Sequence, residues 1–444
     1  MKSTSSILII SLCLLASTFA DTFTNRTTGR KFNGYVVQKT KGGKTHVRQE
    51  HKSPQYLNLA EFSIERNHAG RKNQTVSFVI DGTVDLLSQT RIFETELLNA
   101  ANQGPLFILI EIDVIDMPFG VAERIVTAID QINNCQTIAY VSGSQFGGAF
   151  SAGATIALAC DKIYMRQGTA IGASAGLAPV ASPQVSQEQI TAWQQFSIAT
   201  AQRNGRPAML VKAMFDKDLK IIEIDHEGEK FLIEQKNKKA KMKVVRTVSD
   251  KGMLLTLTAD DAAMHGIADK VVDGIDTLYK NLKAAKAKKI RNNSMLKAKR
   301  QYEKASRSLD KILPSIGARA ERIKVLLDEA AKLEADILNY GGKFYDKDRN
   351  RYRSPDEQSR YQLQKRMNDE RKGIVNQALE NLRRIGKDYR KAISLAEKNV
   401  DLQHQQPELQ AGLDTAEATF DKLTAQIRRQ EQGRDRNRDR RRGY

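Results

Sequence analysis

Histidine, cysteine and tryptophan are scarce in this sequence. Among 444 residues there are 6 His, 3 Cys and 1 Trp. The histidines form no HExxH or HxH pair, and Cys135 and Cys160 have neither zinc-site nor disulfide-framework spacing. The composition therefore argues against a metal enzyme. No apolar run reaches the roughly 20 residues that a membrane span needs. The glycine-rich stretch GSQFGGA lacks the Lys-Ser/Thr ending of a phosphate loop. Acidic residues are short in the last third: residues 281–444 hold 40 Lys/Arg against 24 Asp/Glu, +16 of the net +19. The charge belongs to that segment and says little about a site nearer the front.

What is present begins with a leader-like segment. Residues 1–20 combine a basic start, an apolar run from Ile7 to Ala16, and small residues ending at Ala20. This pattern predicts a signal peptide cleaved after Ala20 and an exported protein, periplasmic or associated with the cell envelope. Residues 21–74 are polar, with many basic side chains, and read as a loose lead-in. Forty per cent of the chain is apolar, enough for a sizeable core.

From residue 75 short strands and helices alternate. Apolar runs at 76–81, 106–112 and 137–141 predict buried strands; helical spacing at 91–101 and 121–132 predicts helices between them. Such alternation implies βα units around a mostly parallel sheet. A small-residue helix is expected at 151–160, a strand at 161–165, and a further helix at 186–203. Glu227-Gly228 marks a hairpin within 221–233. Residues 255–275 predict a strand, a helix capped by Thr258, and a last strand. Beyond 276, Leu326, Ala330, Leu333, Ile337 and Tyr340 repeat with 4-3 spacing. Leu409, Leu413, Ala416, Phe420, Leu423 and Ile427 do likewise. This predicts a coiled-coil region over 276–430 with a loop near 341–353 and a helix start at Ser354-Pro355-Asp356-Glu357. Residues 431–444 read as a basic disordered tail.

A nucleophilic serine needs its hydroxyl at a helix start, where backbone N–H groups stabilise an oxyanion, and small neighbours that admit substrate. Ser151, between Gly147-Gly148 and Gly153, meets both needs. The bland alternative is a helix cap or a packing residue. A base must also take its proton.

The stretch SGSQFGGAFSAGATIALACDKIYMRQGTAIGASAGLAPV (142–180), followed by LTADDAAMHGIAD (257–269), resembles the membrane-associated Clp-class serine proteases, NfeD-type and signal peptide peptidase A-type. The resemblance covers residues 75–275. It implies an α/β fold, a ClpP/crotonase-like ββα spiral, followed here by the helical coiled-coil region, and assembly into homo-oligomers. It further implies Ser151 as nucleophile, the Ala152 N–H as one oxyanion donor, and Phe119 or Gly120 as the other, within Asp116-Met117-Pro118-Phe119-Gly120. The substrate it implies is a peptide or protein, and it implies no cofactor.

The NfeD-type base is a Lys early in the helix after the IGA segment, a position that falls near Glu188, and no Lys lies there. No His lies between 68 and 226. Lys212, Lys162 or a neighbouring subunit's lysine are the candidate replacements. The alternative is a catalytically inactive scaffold of the same fold that self-assembles and binds envelope partners through its coiled coil. The related crotonase chemistry on acyl-CoA fits poorly with export. Arg434, Arg436, Arg438, Arg440, Arg441 and Arg442 suit an anionic envelope surface. Export, and the absence of aromatic residues among these arginines, argue against nucleic acid.

Overall fold

The structure, a computed structural model, describes residues 20–39, 44–49, 55–65, 71–82, 84–115, 117–143, 147–172, 186–339, 344–346, 351–353 and 357–442. The leader 1–19, Asp116, Ser144 to Phe146, residues 173–185, most of the 341–353 loop and Ser354-Pro355-Asp356 lie outside them. The chain divides into two compact units, Met1–Ala298 and Lys299–Tyr444.

The first unit opens with five strands: β1 (Asp21–Asn25), β2 (Lys31–Lys39), β3 (Lys44–Gln49), β4 (Gln55–Asn58) and β5 (Phe62–Glu65). They form one antiparallel sheet in the order β4-β3-β2-β1-β5. This corrects the expectation of a loose lead-in. The segment reads as a loop because the residues it buries are polar. His46 and Arg48 on β3 and Tyr35 on β2 are all buried. What they bury against is Asp161, itself inaccessible. Its carboxylate accepts from Tyr35 Oη (2.7 Å), Arg48 Nη1 (2.9 Å), Thr137 N (2.8 Å) and Thr137 Oγ1 (3.1 Å). Asp130 lies 3.5 Å from Arg48 and pairs with Arg203, while Arg206 bonds Asp269 at 2.6 Å. Buried charges persist only when paired, and here each has a partner of opposite sign. Burial alone would lower the Arg48 pKa, but Asp161, Tyr35 and Asp130 more than reverse this and raise it.

The α/β part follows as β6 (Gln74–Asp81), α1 (Leu87–Asn102), β7 (Ile108–Asp113), α2 (Phe119–Asp130), β8 (Thr137–Val141), β9 (Gly148–Phe150), α3 (Ala152–Ala159), β10 (Lys162–Arg166), β11 (Ala170–Gly172), α4 (Gln187–Arg203) and α5 (Ala208–Ala213). A three-stranded antiparallel sheet comes next: β12 (Ile221–His226), β13 (Glu229–Glu234) and β14 (Lys243–Ser249). At its hairpin turn Glu227 (φ 58°) and Gly228 (φ 82°) both take positive φ, as a type I′ turn requires. The unit ends with β15 (Thr256–Thr258), α6 (Ala259–Met264), β16 (Lys270–Val272), α7 (Ile275–Asn281) and β17 (Lys288–Arg291).

The main sheet is parallel throughout, in the order β16-β10-β8-β7-β6-β17. Its central strand β7 is wholly apolar on one face and carries Leu109, Glu111 and Asp113 on the other. Ile108, Ile110 and Ile112 enter the large core beneath α1–α4, and Leu109 enters a second core with Tyr164 and Tyr279. A second, small sheet sets β9 between the end of β7 and β11: β9 runs parallel to β11, and Val114 bridges Ala149. This is the ClpP/crotonase-like α/β architecture. The outermost strand, β17, lies beyond residue 275, where the composition shift had suggested helix. Its Lys-rich sequence suits a sheet edge.

The second unit is built from long helices: α8 (Ser294–Asn339), whose first turns lie in unit one, α9 (Glu357–Glu397) and α10 (Gln406–Arg442). Leu309, Ile316 and Leu326 pack with Ala378, Leu382 and Ile385 and with Leu409 and Leu413. No helix among the described residues is long and apolar enough to cross a membrane. The tail expected to be disordered continues α10 as helix to Arg442. Arg and Gln are strong helix formers.

Candidate functional site

Ser151 stands between β9 and α3 with φ 51° and ψ −121°. Non-glycine residues avoid this region, which costs about 1–3 kcal/mol to hold. A strained residue at a sharp strand-to-helix turn is how a nucleophilic hydroxyl is presented. Glycines make the turn possible. A Cβ on Gly148 would come within 2.1 Å of the Ala170 carbonyl oxygen, and one on Gly153 within 2.7 Å of Val114 Cβ. Asp113, at the end of β7, accepts from Gly148 N at 3.2 Å. Ser151 is 7% exposed.

The Ser151 N–H donates to the Gly172 carbonyl at 3.0 Å and is consumed there. The next amides, Ala152 and Gly153, open α3, where a helix has no acceptor of its own to offer them. At α2 the Pro118 carbonyl accepts from Val121 N (3.0 Å) and Ala122 N (3.1 Å). Phe119 and Gly120, which precede these two, are the first amides of α2, again ahead of any intrahelical acceptor. Phe119 takes ordinary helical backbone angles, so replacing a glycine by phenylalanine here costs no strain. Both helices follow strands that run the same way, and both therefore open at the carboxyl edge of the sheet, where α/β folds bind ligands.

Side-chain hydrogen bonds tie α4 and the residue after it to α3. Thr155 Oγ1 meets Ser197 Oγ at 2.8 Å, and Asn204 Nδ2 donates to the Leu158 and Ala159 carbonyls at 2.9 and 3.0 Å. Contacts advance together along both chains, so α3 and α4 run parallel. From Thr155 to the Leu158 and Ala159 carbonyls α3 advances three to four residues, and from Ser197 to Asn204 the other chain advances seven, so the two diverge from an even register. The Trp193 ring stacks on Phe119 (5.0 Å between centroids, 11°) and on Phe196 (5.2 Å). Trp193 thus packs α4 against the start of α2.

The candidate bases sit apart from this. Glu188 lies five residues before Trp193, about 7 Å further along the helix. It is exposed, and its pKa is lowered by its own backbone N–H and the Ser186 hydroxyl, as for a carboxylate at a helix start. Lys162 begins β10 opposite Ile138, at the amino edge of the sheet, across the length of α3 from Ser151. Lys212 is half-buried in the last turn of α5. Cys135 and Cys160 are buried and their thiols are pushed up by burial, Cys135 to about 12, which keeps both unreactive. Trp193 and Asp113 escaped sequence reasoning; the only signal was a sole tryptophan on the apolar side of a predicted helix.

Residues 80–248 match the family model of the NfeD1b N-terminal domain. Among solved structures, a variant of the 1510-N membrane-bound stomatin-specific protease shares 20% identity over 50% of this chain and 98% of its own, at a TM-score of 0.36. The 1510-N membrane protease specific for a stomatin homolog, from Pyrococcus horikoshii, shares 22% over 47% of this chain and 78% of its own, at 0.31. ClpP1 from Listeria monocytogenes shares 14% over 46% and 95%, at 0.28. No curated protein matches this chain.

Proposed function

We propose, from the premise that residues 80–248 are an NfeD-type Clp-class protease domain, that the chain is an exported serine peptidase-like protein acting on polypeptide through Ser151. The observation that carries this reading is the Ser151 backbone, φ 51° and ψ −121°, at a strand-to-helix turn. A hydroxyl there attacks a peptide carbonyl while the Ala152 N–H and the Phe119 or Gly120 N–H receive the charge that develops on oxygen. Lys212 is the candidate acceptor of the serine proton. Self-assembly, a coiled-coil contact through 276–430 and attachment of the terminal arginines to an anionic envelope surface complete the proposal.

The second reading, a non-catalytic scaffold, is favoured by one observation: the α4 position where the NfeD-type pattern carries its lysine is the exposed Glu188 here. A fluorophosphonate probe tests the first reading. The expected result is an adduct mapped to Ser151, absent from Ser151→Ala and formed more slowly in Lys212→Met. No adduct at Ser151 in any assembly state sinks the peptidase reading and favours the scaffold.

A further inference from the structure

We propose that the three-stranded sheet β12–β14 is a docking surface for an anionic lipid bilayer. Its outer face holds the domain on the membrane through a lysine cluster and three apolar side chains. This surface is separate from the serine and from the terminal arginines, and it stands whether or not Ser151 reacts.

Residues 235–243 read QKNKKAKMK, five lysines and no acid, while the first 280 residues together carry a net charge of only +3. The strand order β13-β12-β14 decides where these lysines go. Both β13 and β14 run antiparallel to β12, so they are parallel to each other, and residues 235–242 must cross the sheet to join them. One face is already taken. Ile221 belongs to the α/β core, Leu232 and Val248 pack against it, and Arg246 reaches Asp261 on α6. The crossing therefore lies over the other face. Ile222 and Ile224 alternate onto that face; they are buried yet lie outside the α/β core, as residues beneath a crossing chain must. Register supplies the apolar part. Ile224 pairs with Phe231 on β13 and with Val244 on β14, and directly opposed residues share a face. Phe231, Val244 and the neighbouring Val245 are 46%, 41% and 43% exposed.

This combination selects a bilayer. Lysines are drawn to anionic headgroups, and exposed aromatic and aliphatic side chains beside them enter the headgroup boundary. The acids of the sheet are occupied or set apart. Glu223 pairs with Arg246, Glu234 pairs with Lys236, and Asp225 accepts from Gly228 N at 3.0 Å. Glu227 and Glu229 stand at the hairpin turn. Among the described residues no carboxylate pairs with Lys238, Lys239 or Lys241. A single-stranded nucleic acid would call for a row of stacking side chains, and Phe231 is the sole Phe, Tyr or Trp in 221–249.

The test is sedimentation of the full chain with vesicles of phosphatidylglycerol and phosphatidylcholine, against vesicles of phosphatidylcholine alone. The natural protein is expected to bind only the anionic vesicles and to leave them as salt is raised. Lys238→Gln, Lys239→Gln and Lys241→Gln combined should weaken binding at least about tenfold, since each lysine near such a surface contributes roughly fivefold. Phe231→Ala should weaken it by about tenfold through lost apolar burial. These side chains are exposed, so the variants should fold as the natural protein does, which circular dichroism checks. A chain with the six terminal arginines replaced by glutamine should still bind, and should lose that binding when the three lysine changes are added. Binding that survives the lysine changes or Phe231→Ala, or that vanishes with the arginines alone, overturns the inference. So does a natural protein that ignores the anionic vesicles, including one that binds RNA instead. Labelling of Ser151 enters none of these readouts, so the peptidase reading and this one fail separately.

Discussion

Ser151 and Asp161 stand at the two ends of one eight-residue helix, and they are opposites. Asp161 is a buried carboxylate satisfied by Tyr35, Arg48 and both Thr137 donors. Nothing about it is strained or left over, so its role is to clamp the amino-terminal sheet to the α/β core. Ser151 holds a backbone conformation that costs energy, among glycines that exist to permit close approach, with two helix starts opening beside it. The same helix thus separates an end built around paired buried charge from an end built around a strained turn. Strain and uncommitted donors mark the second kind of site; burial of charge alone does not.

Breaking the clamp should have the largest effect. Asp161→Ala leaves Arg48 buried without its main partner and is expected to cost about 3–5 kcal/mol in denaturant unfolding. Replacing both, Arg48→Met with Asp161→Leu, should recover much of that loss. A single substitution that costs less than 1 kcal/mol, on the order of a surface pair, would remove the distinction between the two ends.

The clamp also predicts a pH dependence. Burial, with Arg48 and Arg206 adding to it and Asp161 opposing, lowers the His46 pKa from 6.5 to about 4. Between those values the unfolded chain binds a proton that the folded chain refuses. Stability from this group is therefore fully present above pH 6.5 and drains away as pH falls toward 4, by about 3 kcal/mol at most. His46→Phe, which can still stack on Tyr56, should flatten the unfolding profile across that window relative to the natural protein. Parallel profiles would show that His46 is not held neutral.

At the serine end the expected effects are smaller. Gly148→Ala forces a Cβ toward the Ala170 carbonyl and should cost about 2 kcal/mol by thermal unfolding, together with the fluorophosphonate reactivity of Ser151. Smallest is the relief of strain: Ser151→Gly should be about 1 kcal/mol more stable than Ser151→Ala, since only glycine takes φ 51° at no cost. Equal stability would mean that the turn stores no strain.

Legibility in the sequence divides along the same line. The α/β core was readable because strands at 76–81, 106–112 and 137–141 are continuous apolar runs and the helices between them keep a 3.6 period. The Ser151 turn was readable because its glycines and small residues have few other uses. The amino-terminal sheet was hidden because β3 buries His46, Arg48 and Gln49, residue types that signal exposure unless a distant Asp161 is known to receive them. The packing of α3 on α4 was hidden for a similar reason: it runs through a hydroxyl pair, Thr155 with Ser197, that no local pattern encodes.

The central claim is that the hydroxyl at the strained strand-to-helix turn is the reacting group. Peptide mapping by mass after exhaustive fluorophosphonate treatment of the natural protein, beside Ser151→Ala, tests it most directly. The account predicts a single adduct, on Ser151, and none in the variant. A natural protein left unmodified at Ser151 would contradict it.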